Sequence, residues 1–203
     1  MNPLMRDHPF WGVHSPLTSL AGSGLMVICS GRISTALIAC AVLVWVYSVT
    51  VLAAKLGGGN FPQWGREAIL LFLSAFIAGI FFILLWIFDP LLSLECAFFI
   101  LLVPAVFTAS ALYARVGKYD TLEAVSQSLS EALLLGMLIL ALALIREPLG
   151  HASVSFPVLG QIRFLDAAPL KLFQSASGAL ILLGYGTAVY RSFRNQATNS
   201  EDD

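Results

Sequence analysis

Residues 17–29 read LTSLAGSGLMVIC, and residues 96–114 read CAFFILLVPAVFTASALYA. Both runs are apolar, and both carry a flaw for a membrane helix. The first is far short of the ~20 residues that a helix needs to cross the hydrocarbon core, and it contains Gly22, Ser23 and Gly24. The second is interrupted by Pro104, with Thr108 and Ser110 after the proline. Each is followed by two longer apolar runs. Ile33–Ala54 and Ala68–Phe88 follow the first, and a run from about Leu122 to Ile145 and then Leu170–Tyr190 follow the second. The order is short-broken, long, long, then Pro-broken, long, long.

Composition supports lipid as the solvent. The 203 residues are 58% hydrophobic and only 11% charged, and the mean hydropathy is +0.85. A soluble domain carries roughly 25% charged residues. The net charge of -1 gives no reason to invoke nucleic acid. Cys29, Cys40 and Cys96 lie in or beside apolar runs without C-x-x-C spacing, so they read as packing residues. The stretch around His8, Pro9, Trp11, His14 and Pro16 makes a poor signal-peptide n-region, and the first segment is expected to stay in the mature protein.

The expected fold is all-α and polytopic: one membrane domain over 1–203 with six transmembrane segments. These form two inverted three-helix repeats, about 1–91 and 92–190, followed by a polar cytoplasmic tail at 191–203. Three crossings per half is an odd number, so the second half enters with the opposite orientation. Inverted repeats whose corresponding segments are interrupted point to a site near the bilayer midplane. Unwound backbone cannot face lipid, because each unpaired N–H or C=O costs several kcal/mol there. The bland alternative is that Gly22, Gly24 and Pro104 are ordinary irregularities of membrane helices.

Charge sets the orientation. One side would hold Arg6, Lys55, Arg66, Arg115, Lys118, Arg191 and Arg194, and the other Arg32, Arg146, Arg163 and Lys171. The excess places both termini in the cytoplasm. Trp45, Trp64, Trp86 and Tyr190 read as interface anchors. Asp120 with Glu123 is spaced as a capping box and predicts a helix start near Leu122.

No catalytic motif is present. Glu147 and His151 have i, i+4 spacing, but Pro148 and Gly150 predict that the helix ends before them. No metal site is therefore assigned. Asp89, Glu95 and Glu147 sit at segment ends, where a charged group reaches the interface cheaply, and no acid is placed mid-span. Arg115 is either a positive-inside residue or a lock on the end of the broken segment.

The run VPAVFTASALYARVGKYDTLEAVSQSLSEALLLGMLILALALIREPLG, 103–150, resembles the second half of the six-helix subunits of the Rnf electron-transport complex and of the sodium-translocating NADH:quinone reductase, Nqr. Pro104, Arg115, Gly136, Met137, Arg146, Glu147 and Gly150 stand at matching positions, and Asn2-Pro3-Leu4 resembles the opening of the Nqr-D/Rnf-E branch. Leu20–Leu37 lines up loosely with that family's first broken helix.

The resemblance implies that two such subunits pair in the inner (cytoplasmic) membrane, inverted with respect to each other. Cysteines of their broken helices hold a [2Fe-2S] cluster, and electrons pass between flavin-carrying and iron–sulfur partners while sodium or protons move. It gives Arg115, Arg146 and Glu147 structural roles. This sequence departs at the cluster. Gly24, beside Ser23, and Ser110 stand where the cysteines belong, and Ala109 stands for the family's Asn. Cys29 and Cys96 lie too far along the chain to replace them, so no cluster ligand is assigned.

The leading expectation is thus a non-catalytic membrane subunit of a redox-driven ion-translocating complex, without its own cluster. A stand-alone transporter is the alternative, with its substrate between Gly22–Gly24 and Pro104–Ser110. A non-catalytic assembly factor is the third reading.

Overall fold

The structure, a computed structural model, describes residues 20–57, 65–109, 120–156, 160–163 and 170–199. Six helices and one small hairpin account for nearly all of them: α1 Leu20–Cys29, α2 Ile33–Leu56, α3 Arg66–Phe88, α4 Pro90–Ala109, α5 Thr121–His151, β1 Ser153–Phe156, β2 Gly160–Arg163, a 3-10 turn Lys171–Gln174, and α6 Ala176–Asn199. Four helices are long and apolar enough to cross a membrane, over Ile33–Leu56, Ala68–Phe88, Pro90–Thr108 and Thr121–His151. The chain is a helical, membrane-embedded protein on this ground.

α2 is the hub. It packs most extensively along α5 and also against α3 and α4, while α3 lies along α4. Its buried positions, among them Ala36, Ala39, Val42, Leu43, Val46 and Tyr47, cover more than one face, as befits a central helix. On α4 the buried residues Cys96, Phe99, Ile100, Val103, Val106 and Phe107 recur every three to four positions. Phe107 meets Tyr47 of α2 edge to face, with ring centroids 5.1 Å apart. α3 turns Phe72, Phe76, Ile83 and Ile87 outward, where lipid or another subunit would cover them.

Several local expectations change. α4 begins at Pro90, earlier than the apolar run alone suggests. Asp89 caps it, its Oδ1 accepting from the Leu91 and Leu92 amides at 3.1 Å, and Pro90 occupies the first helical position, where no N–H is needed. α4 is then continuous through Pro104, so the second half does not open with a broken segment. Pro104 forfeits one helical hydrogen bond, but the buried α4 face around it holds the helix together. Gly22–Gly24 are likewise helical within α1. The interruption falls after them, at Ser30–Arg32, where the chain turns into α2.

Pro148 and Gly150 do not end α5, which runs to His151. Pro148 gives up one bond near the terminus, and the last carbonyls find other partners. Pro148 O accepts from Ala152 N at 3.1 Å, Leu149 O from Leu170 N at 3.1 Å, and Gly150 O from Gln174 Nε2 at 2.6 Å. Asp120 is the N-cap of α5 but makes no side-chain cap bond, so the capping box is not formed. The connection after α5 contains an antiparallel hairpin, Ser153 opposite Arg163 and Phe156 opposite Gly160, which an all-α reading omits. The sixth segment opens as a 3-10 turn. The described apolar stretch of α6 is only Ala176–Gly186, and α6 continues as helix to Asn199 through most of the polar tail.

Ala152 closes α5 in the left-handed region, φ 54. A side chain there costs about 1–2 kcal/mol that glycine avoids. Ala152→Gly is expected to raise the unfolding free energy by up to about 1 kcal/mol, read as a higher Tm in detergent. An unchanged or lowered Tm would contradict this account of the cap.

Candidate functional site at the end of helix α5

The predicted crossing is only partly assembled. α1 packs against α4, so the two flawed segments do meet. Gly22 and Pro104 are buried, and Ser23 and Gly24 are half-buried. A Cβ at Gly24 would meet nothing within 4 Å, so this glycine marks no close approach within the chain. Ser110 and Arg115 lie outside the described residues.

The charged residues of α5 form a more definite centre. Arg146 is 4% exposed and Glu147 1%. The guanidinium has five N–H donors in a fixed fork, and each finds an acceptor. Nε donates to Phe173 O at 2.7 Å. Nη1 donates to Val27 O at 2.8 Å and to Ser30 Oγ at 3.0 Å. Nη2 donates to Gln174 O at 3.1 Å and Ser175 O at 3.0 Å. These carbonyls belong to the C-terminal turn of α1 and to the 3-10 turn before α6. A cation there meets the negative ends of helical dipoles.

Glu147 does the reverse. Its Oε2 accepts from the amide of Ile33, the first residue of α2, at 2.6 Å. A carboxylate at a helix N-terminus meets unpaired N–H groups and the positive end of the dipole. Adjacent side chains on α5 thus fasten the end of α1, the start of α2 and the approach to α6. Thr35 Oγ1 adds a tie back to Cys29 O at 3.1 Å, and the Ser34 and Ser155 hydroxyls lie 3.2 Å apart, joining α2 to the hairpin.

Glu147 therefore departs from the expected interfacial acid. Glu131 is a second buried acid on α5, at 6% exposure, contrary to the expectation of none within a span. One signal in the sequence points to a buried charge at one end of this span or the other. Only Ala132–Ile145 is uncharged between Glu131 and Arg146. At 1.5 Å per residue the two charges stand about 22 Å apart along the helix, less than the ~30 Å hydrocarbon core. At least one end must enter the low-dielectric region.

The residues do not fit an iron–sulfur cluster. Ser23 and Gly24 offer no thiolate, and soft sulfur is what iron selects. Cys29 and Cys96 are both fully buried, on α1 and α4. Among the described residues no group of three or more His, Cys, Asp or Glu side chains stands together to hold a metal. An ion pair, Arg32–Glu95 at 3.8 Å, is exposed on both sides and contributes at most about 1 kcal/mol. No family model matches the sequence, and no curated protein matches it.

Proposed function

We propose that this chain is an integral-membrane subunit of an ion-translocating electron-transport complex of the Rnf/Nqr kind, located in the inner membrane with both termini cytoplasmic. Its part is to pair with a second six-helix subunit and to shape the ion path; it has no cluster of its own. The observation that carries the reading is the Arg146–Glu147 fastening. It fastens the end of α1 to the start of α2 and to the approach to α6, and buried charge within a membrane domain is characteristic of a pathway for ions. Arg146, Glu147 and Gly150 are also residues on which the family resemblance rests. The outward aromatic face of α3 supplies apolar area for a partner. The inverted repeat belongs to this proposal, with α1 and α4 as its corresponding segments.

The buried acids on α5 also suit a stand-alone ion-coupled transporter. Purification of the tagged full-length chain from native membranes in mild detergent separates the two. Co-isolation of a flavin-carrying protein and a second six-helix subunit is the expected result. A homo-oligomer without redox partners would overturn the complex and leave the transporter.

A further inference from the structure

Charge brackets three of the four spanning helices at one spacing. Arg32 and Lys55 bracket α2, Arg66 and Asp89 bracket α3, and Glu123 and Arg146 bracket most of α5, each pair 23 residues apart. That is about 34 Å of helix at 1.5 Å per residue, enough to hold both charges at the edges of a ~30 Å hydrocarbon core. Packing sets α2 and α5 antiparallel at nearly the same depth. Ile33 meets Glu147 at one end, and further along a Cβ on Gly136 would come within 3.4 Å of the Cys40 Cα. Glu123 thus marks one edge of the core, and residues 126, 127 and 130 lie about 5, 6 and 10 Å inside it.

Glu123, Ser126, Gln127 and Ser130 follow i, i+3, i+4, i+7 spacing, so they form one stripe along α5, and all four are exposed. Ser126 turns its hydroxyl back onto Glu123 O at 2.9 Å. Gln127 and Ser130 make no hydrogen bond among the described residues. Hydrocarbon offers neither of them a partner, and an amide left unbonded there is costly. At the same depth on α3 the outward residues are Phe72 and Phe76, which lipid covers at no such cost. Deeper on α5 itself they are Leu133, Met137 and Leu144. The polar outward face is confined to this part of α5.

We infer that this stripe is the docking surface for a membrane-spanning helix of a different chain. That helix brings hydroxyl or amide side chains to the depth of Gln127 and Ser130, and a basic side chain to the level of Glu123. Side-chain hydrogen bonds of this kind join helices within membranes. A second copy of this chain fits less well. Copies inserted in the same orientation would pair their α5 helices in parallel and set Glu123 against Glu123, and like charges so placed repel. The docked helix lies beside Glu131, which is one turn beyond Gln127 and 6% exposed. An acid inside a membrane domain is the usual mark of an ion path.

The inference deepens the pairing part of the proposed function and rests on it. Photo-crosslinking of the full-length chain in native membranes tests it, with p-benzoylphenylalanine in place of Gln127, of Ser130 or, for comparison, of Met137. The expected result is an adduct with another membrane-spanning chain from positions 127 and 130 and none from 137. Adducts with lipid alone, within this chain, or with a second copy would each overturn the proposal. Combining Gln127→Leu with Ser130→Leu gives a second measurement. Both side chains are exposed, so the double variant should keep the wild-type Tm in detergent. It should co-isolate at least about tenfold less of the crosslinked chain, the loss of one or two interhelical hydrogen bonds. Undiminished co-isolation would overturn the proposal. An adduct with a chain that belongs to no redox assembly would remove the electron-transport reading and keep the docking surface.

Discussion

Arg146→Leu is expected to lower the unfolding free energy by at least about 3 kcal/mol, because bonds to a charged donor contribute about 1.5–3 kcal/mol each and are not additive. In a chain of this length that is a Tm drop on the order of 10 °C. Leucine fills the space and leaves Val27 O, Phe173 O, Gln174 O and Ser175 O without their donors. These bonds are partly buried, so water replaces the lost donors only in part. Arg146→Lys should fall between, since an ammonium is a point with three donors and cannot reach both helix ends as a fork does. Denaturation in detergent checks the order wild type, Lys, Leu. Equal stability of all three would show that the fastening contributes nothing.

The second large effect lies at the crossing of α2 and α5. A Cβ at Gly136 would fall on Cys40 Sγ and press against the backbone of residue 40. Gly136 is buried, so the helices approach through the missing side chain, as membrane helices commonly do through small residues. Gly136→Leu is expected to cost about 3 kcal/mol, at the upper end of overpacking effects. Gly136→Ala should cost less, because alanine's better helix propensity offsets about 1 kcal/mol. Cys40→Ala removes the overlapping sulfur, so the double variant should recover about 1 kcal/mol of what Gly136→Ala loses, a coupling typical of touching residues. Additive losses would place the contact elsewhere.

Hydropathy made the four spanning helices legible, because α2 to α5 are long runs whose apolar content leaves lipid as their solvent. Proline was misleading twice. Pro104 and Pro148 each read as a break, yet both sit inside helices. The local rule yields where packing on α4, and the 3-10 turn beyond α5, hold the chain in place. The hairpin was obscured because Ser153–Phe156 and Gly160–Arg163 are only four residues each, although SVSF does alternate polar and apolar.

The site was half legible. Arg146 and Glu147 stood out in the sequence through resemblance, and the short uncharged run Ala132–Ile145 signals that a flanking charge enters the membrane, but Pro148 argued against the helix continuing through them. Cys40 opposite Gly136 had no sequence signal, since helix register across a bundle is set by the whole core.

The most direct test of the fastening at Arg146 and Glu147 is amide hydrogen exchange in lipid nanodiscs, wild type against Arg146→Leu. The account predicts that amides of residues 27–34 and 171–175 lose protection in the variant, Ile33 among them, while those of 70–78 in α3 keep theirs. Equal exchange at residues 27–34 in both proteins, or a loss spread evenly over every helix, would contradict it.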